Sequence, residues 1–159
     1  MAYLIDGSNF IGYLSPSHLK DPKTKYSLAS RLFIFQRTKK TRVLLVFDGP
    51  ADLNLIGKRF QTKRFSVFFP PQDQNADRVI KKIISKQTDL RRFFVVSSDR
   101  EIKDFAKSKG AKPMSCKEFY QEFRTVQKEH KKSQELEKTF DPPSTLETNQ
   151  WLKIFKAKK

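Results

Sequence analysis

Four aspartates carry most of the chemistry this chain could do. Asp6 follows the apolar run Ala2-Tyr3-Leu4-Ile5, and Asp48 follows Val43-Leu44-Leu45-Val46-Phe47. Asp99 comes shortly after Phe93-Phe94-Val95-Val96, and Asp77 lies in the first turn of a predicted helix opening Asn75-Ala76-Asp77. The strands of a parallel sheet all point one way, so residues just past their ends gather at one edge. Converging carboxylates repel one another and lose solvation, and a hard cation relieves both costs. The chain around them is strongly basic, with 33 Lys and Arg against 17 Asp and Glu and a formal net charge of +16. A metal-dependent hydrolase acting on a polyanion satisfies both observations. Taken singly, each aspartate is also an ordinary turn former or helix cap; the weight lies in four of them at one edge.

The elements that must position these acids alternate along the chain. Strands are expected at 2–6, 42–48, near 64–69, at 92–97 and near 111–115. Pro70-Pro71 stops the third, because proline cannot continue a ladder. A basic amphipathic helix at about 26–38 sets Leu28, Leu32 and Phe35 on one face. A second helix over 76–87 buries Ala76, Val79, Ile80, Ile83 and Ile84. Ser98 with Glu101 reads as a capping box opening a helix that Gly110 ends, and Ser115 with Glu118 as a second box before Phe119, Phe123 and Val126. This βαβα order predicts a three-layer α/β/α domain around a mostly parallel sheet of about five strands. Residues 1–126 form the expected domain and 127–159 an extension. The extension has a charged helix, a break at Asp141-Pro142-Pro143, and a short basic and aromatic helix with Trp151, Leu152 and Phe155. That last helix either docks its apolar stripe on the domain or serves as an arm for RNA or a protein.

Bulk composition narrows the partners. At 159 residues the chain suits one domain with an appendage. Residues 1–110 hold 22 basic and 10 acidic residues, a balance of +12, so the charge is not confined to a tail. This favours nucleic acid. No apolar run approaches the ~20 residues that span a bilayer, and the first strand begins at residue 2, so neither membrane attachment nor a signal peptide is expected. The lone cysteine, Cys116, fits a reducing cytoplasm and reads as packing. His18 and His130 are too far apart in sequence context to suggest zinc. The five glycines form no phosphate loop, and no small-molecule cofactor is expected.

Leu4-Ile5-Asp6-Gly7-Ser8-Asn9, Val46-Phe47-Asp48-Gly49, Asn75-Ala76-Asp77 and Val96-Ser97-Ser98-Asp99-Arg100 stand in the order and spacing of the NYN domain. The chain resembles the YacP-like group of that family, a branch of the PIN-like nucleases that includes a bacterial ribosome-associated endoribonuclease. The resemblance covers about residues 1–126, with the Trp151-Leu152 helix as an extension of it. It implies that the matching aspartates bind one or two divalent metals, supported by Asn9 and the hydroxyl after the fourth strand. Two positions depart from the group's pattern: Arg78 stands where a second acid is often found, and Ser8 where a Tyr is common. The tetrad stays intact, and the number of metals stays open.

Magnesium or manganese suits such a site, since both take oxygen ligands and magnesium keeps several waters. Asp6, Asp77 and Asp99 are the first choices as ligands, with Asp48 the fourth acid nearer the rim. Asn9 can donate to a carboxylate or phosphate, and Ser97 or Ser98 can orient Asp99. Asp21, Asp52, Asp73, Asp89 and Asp104 read as solvated, Asp73 being kept in reserve because it precedes the site helix. Candidate RNA contacts are Arg100, Arg78, Lys81 and Lys82 beside the acids, together with Arg37, Lys39, Lys40, Lys58, Arg59, Lys63 and Arg64. Phe10, Tyr13, Phe68 and Phe69 could stack on unpaired bases, although core packing is the usual fate of strand phenylalanines. The expected function is a metal-dependent endoribonuclease, with RNA presented on the ribosome as one setting. The alternative is a catalytically weak RNA- or ribosome-binding module whose acids hold a structural ion.

Overall fold

The computed structural model describes residues 1–137 apart from Lys20; the expected helix around Trp151, its docking, and most of the extension lie outside the described residues. Five strands form one sheet: β1 (Ala2–Asp6), β2 (Arg42–Val46), β3 (Phe65–Phe68), β4 (Phe93–Val96) and β5 (Lys112–Met114). Their order is β3-β2-β1-β4-β5, and every neighbouring pair is parallel. Chain order runs outward from β1 to β3 on one side and then resumes at β4 on the other. A parallel sheet opens its crevice where the order reverses in this way, which here is between β1 and β4.

Alternation along the strands divides the core into two layers, as a period of two requires. Tyr3, Ile5, Val43, Leu45, Phe65 and Val67 face one way, against α1 (Gly7–Leu14), α2 (Pro22–Lys39) and α6 (Cys116–Glu137). Leu4, Leu44, Val46, Phe93 and Val95 face the other way, against α4 (Ala76–Lys86) and α5 (Arg100–Ser108). The first layer is aromatic: Phe10, Phe35, Phe119 and Phe123 meet at centroid separations of 5.3–6.2 Å, edge-on or tilted except for the stacked pair Phe119 and Phe123. The second is mostly aliphatic, with Phe93 among its buried residues. A short helix, α3 (Leu53–Ile56), and a 3-10 turn at Lys58–Phe60 cross from β2 to β3.

The parallel five-stranded sheet with helices on both faces agrees with the sequence reading, and several local details do not. Helix α1 is not among the sequence expectations, since Gly7 and Gly12 lower its intrinsic propensity. Helix α2 starts at Pro22, earlier than the apolar stripe alone suggests, because the Asp21 carboxylate accepts from the Lys23 N–H and Pro22 fits the first helical position. The cap of α5 is Asp99, which accepts from the N–H groups of Glu101 and Ile102, so Ser98 and Glu101 form no capping box. The second box is present: Ser115 Oγ accepts from the Glu118 N–H at 3.1 Å while Glu118 Oε1 accepts from the Ser115 N–H and hydroxyl. Helix α6 runs through residue 126 as far as Glu137 without a break.

Candidate active site

Asp6 ends β1 and at the same time caps α1. Its Oδ1 accepts from the Asn9 N–H at 3.3 Å, and its Oδ2 accepts from the Ser97 hydroxyl at 3.3 Å. The turn from β1 into α1 is tight enough that Gly7 is required. A Cβ there would lie 2.7 Å from a Phe47 ring carbon and 2.9 Å from a Leu45 methyl. The close approach of α1 to β2 is what brings Asp48 beside Asp6. Ser8 completes the link, its hydroxyl accepting from the Asp48 N–H at 2.8 Å.

On the β4 side, Ser97 is fully buried and joins two acids. Its hydroxyl donates to Asp6 and accepts from the Asp99 N–H at 3.0 Å. Asn9 ties the same two loops together from the other face. Its Oδ1 accepts from the Ser98 N–H at 2.8 Å and from the Cys116 thiol at 3.1 Å. Two donors on that oxygen fix the amide orientation. Cys116 is buried, as its packing role required, and it also holds Asn9. Asp77 enters from α4, whose first turn is set by the Asn75 side chain accepting from the Arg78 N–H.

The outcome is one open cavity of about 470 Å³ at the carboxyl edge of the sheet, lined by Asp6, Asp48, Asp77 and Asp99 together with Ser8, Asn9, Tyr13 and Ser98. The acids share a field. Burial raises the Asp6 carboxyl to about 6, and the charges of Asp77 and Asp99 add to the rise, against the hydrogen bonds from Asn9 and Ser97 that lower it. Asp77 is raised as well, by burial and then by Asp99, Glu101 and Asp48, while Lys81 opposes them. Such mutual destabilisation is what an adjacent cation reverses.

The donor set fits a hard divalent ion. Every polar side chain lining the cavity offers oxygen or an amide, with no imidazole or thiolate among them. Among the described residues no three acidic, imidazole or thiol groups already converge as a ligand sphere. Both oxygens of Asp6, and one each of Asp48 and Asp99, accept hydrogen bonds from the chain. Asp77 stands at the start of its helix rather than as its cap, so its carboxylate can turn toward an ion.

The basic candidates divide. Arg78 and Arg100 directly follow Asp77 and Asp99, and Lys81 acts on Asp77 while pairing with Glu101; Lys82 follows Lys81 on α4. Lys39, Lys40 and Lys63 do not share the cavity. They adjoin Arg42 and Arg64, whose hydrogen bonds to Met1 and Val43 mark the opposite, amino edge of the sheet. Arg59 packs its guanidinium over the rings of Tyr26 and Phe60. Of the aromatic candidates, Tyr13 lines the cavity, Phe10 is core, and Phe68 and Phe69 pack against the two core layers. Sequence reasoning missed the role of Ser8 as a cavity residue because it missed α1, and missed Leu19 because that residue follows a short 3-10 turn at Pro16–His18. The signal was present: an Asp cap followed by apolar residues at Phe10, Ile11 and Leu14. Asp21 and Asp52 are caps of α2 and α3, bonded to Lys23 and Asn54.

Comparison with known proteins agrees with the fold. None of the curated proteins matches the chain. Two crystal structures of Rae1 (YacP) from Bacillus subtilis, one of them a mutant, share its fold. They superpose with TM-scores of 0.70 and 0.69 at 23% and 22% identity, over 98% of this chain and 92% of theirs. The sequence profile of the YacP-like NYN domain matches residues 3–155. With four aspartates on one edge of a five-stranded parallel sheet, this chain belongs to the YacP-like NYN domain family of PIN-like nucleases.

Proposed function

We propose that the protein is a metal-dependent endoribonuclease that hydrolyses phosphodiester bonds in RNA. The observation that carries this reading is the cavity itself. Four carboxylates, two of them with raised proton affinity, line a single opening in a chain of formal charge +16. A binding module gains nothing by holding four repelling acids where RNA phosphates must approach. Asp6, Asp77 and Asp99 would hold one or two magnesium or manganese ions, with Asp48 at the rim. When bound, the ion supplies charge neutralisation at the scissile phosphate and a more acidic water.

The chain's own residues do the rest. Ser97 keeps Asp6 and Asp99 in register by bonding to both. Asn9, its oxygen occupied, is left with amide hydrogens that suit a phosphate oxygen. Arg78 and Arg100 sit directly after Asp77 and Asp99, so cations flank the acids and attract the backbone without a lasting bond to them. Lys81 balances Asp77 and is itself held by Glu101. The ribosome is a natural place for such an enzyme to meet exposed RNA, and a cytoplasmic setting accords with it. Among the described residues no helix is long and apolar enough to cross a membrane.

The test is cleavage of a short single-stranded RNA by the purified protein with Mg²⁺, with Mn²⁺ and with chelator, beside Asp77→Asn. Internal cuts that need the metal and vanish in the variant are expected. Tight RNA binding with no cleavage under any metal would favour the binding-module reading, and co-sedimentation with ribosomes would then become the informative measurement.

A further inference from the structure

Beside the acidic cavity a second, larger hollow of about 820 Å³ opens on the β2–α3 side, and the two share Ser8, Leu19 and Asp48. Its character differs. Leu19, Pro22, Pro50 and Leu53 give it apolar walls, and Leu53 is 83% exposed. Beneath them Gly49 offers bare backbone in a conformation that L side chains rarely adopt, at φ +89°. Lys25 is the cation of its lining, beside the carboxylates of Asp48 and Asp52: it donates to the Asp48 carbonyl at 3.2 Å and lies 5.8 Å from the centre of the Phe47 ring. An ammonium has three donors, so this bond leaves two for a ligand.

We infer that this hollow is a nucleotide subsite, taking one unstacked base of the RNA strand next to the phosphate that enters the acidic cavity. The inference rests on the RNA-cleaving function proposed above and names how that site holds its substrate. Continuity argues for it: a strand whose phosphate reaches Asp6 and Asp77 has its neighbouring nucleotide within the shared wall of Leu19 and Asp48. The size also agrees, since small-ligand sites run from roughly 300 to 1,000 Å³ and are mostly apolar with a few placed polar groups. Lys25 meets the flanking phosphate, the leucines and prolines meet the base faces, and Asn54 in the lining can both donate to and accept from a base edge. A purely electrostatic groove would need none of these apolar walls.

The experiment measures binding, so it does not depend on cleavage. Fluorescence anisotropy of the full chain in chelator would compare a short single-stranded RNA with a series of the same RNA, each carrying one abasic residue at a different position. Removing the base at one position should weaken binding severalfold, less than the loss of a base stacked on an aromatic ring, because the walls here are aliphatic. Leu53→Ala, on an exposed side chain that cannot disturb the fold, should weaken the intact RNA severalfold and the abasic RNA hardly at all, because both changes remove the same interaction. Losses that add fully, or binding indifferent to base removal at every position, would overturn the subsite. A protein that shows the base effect but never cuts keeps the subsite and loses the nuclease reading. One that cuts but ignores base removal does the opposite.

Discussion

The two edges of the same five-stranded sheet are opposites. At the carboxyl edge stand Asp6, Asp48, Asp77 and Asp99, tied to one another through Ser8, Asn9 and Ser97. At the amino edge stand Met1, Arg42, Arg64 and Arg92, bonded through their backbones into the strand ends, with Lys39, Lys40 and Lys63 beside them. Strands of five residues separate the edges by about 16 Å at ~3.3 Å per residue. That exceeds the ~8 Å over which exposed charges act at physiological salt. The positive charge of the chain is therefore two populations, of which only one works at the acids.

The largest expected contrast between the edges is in rate. Asp6→Asn, Asp77→Asn or Asp99→Asn should each cut RNA cleavage by ~10³ or more, the equivalent of several kcal/mol of lost transition-state stabilisation. Each should leave RNA binding equal or slightly tighter, since a negative charge near phosphate is gone. Lys39→Ala with Lys63→Ala should leave the rate within a factor of about two. Single-turnover cleavage under matched metal reads both, and three aspartate variants cutting at the parental rate would remove the carboxyl edge from catalysis.

Acid should act on the same edge in the metal-free protein. The Asp6 carboxyl is raised from 3.8 to about 6 in the fold, chiefly by burial. A folded value above the unfolded one means that the fold binds the proton more tightly. Its contribution to stability is full below about pH 4 and is lost as pH rises through about 6. The difference amounts to on the order of 3 kcal/mol, or roughly 6–12 °C in melting temperature for a chain of this size. In chelator, the wild type should gain on Asp6→Asn as pH falls from 7 to 4.5, because the amide cannot titrate. Saturating Mn²⁺ should erase that gain at neutral pH by stabilising the charged form. Parallel melting curves for the two proteins across this range would show that Asp6 does not carry the strain.

Much of this was legible in the sequence, and what was not has particular causes. The apolar runs ending in Asp6 and Asp48 state their strands outright, because a parallel strand is buried on both faces and reads as a continuous apolar block. Helices α4 and α6 announce themselves through Ile80 and Ile84, and through Phe119, Phe123 and Val126. Helix α1 was hidden, since eight residues with two glycines carry little periodicity, and its existence rests on packing against Phe47 and Phe123. The acids could be assembled from strand order alone. The division of the basic residues could not, because which edge a lysine occupies depends on the direction in which its helix runs back. Lys39 and Arg78 look alike in sequence and end on opposite sides of the sheet.

Two glycines sharpen the comparison with smaller effects. At Gly7, by the acids, the obstacle is space: an added methyl meets the Phe47 ring and Leu45. At Gly110, leading into β5 at the other edge, the obstacle is the dihedral, φ +93°, with no atom within 4 Å of an added Cβ. Gly7→Ala should cost about 1–3 kcal/mol through overpacking and should also slow cleavage, because it pushes β1 and the Asp48 loop apart. Gly110→Ala should cost about 1 kcal/mol of strain and leave the rate untouched. Denaturant midpoints paired with rates distinguish the two, and equal rate losses would mean that the site is not set by the α1–β2 approach.

The smallest expected difference is in RNA affinity. Arg78 and Arg100 are exposed, follow Asp77 and Asp99 directly, and form none of the described ion pairs. Lys39 sits 3.9 Å from Glu122, a half-exposed pair of the kind that contributes little. Arg78→Ala with Arg100→Ala should therefore weaken single-stranded RNA severalfold and reduce the log–log salt slope by about 0.7 for each phosphate no longer neutralised. Lys39→Ala with Lys63→Ala should change the slope by less than one phosphate's share if the strand keeps to the carboxyl edge. A short RNA of about three nucleotides makes the distinction clean, because its ends stay within about one nucleotide of the acidic cavity while the amino edge lies ~16 Å away. Equal slope reductions from the two pairs on that short RNA would place the strand across the sheet rather than along one edge, and the +16 charge would then act as a single surface.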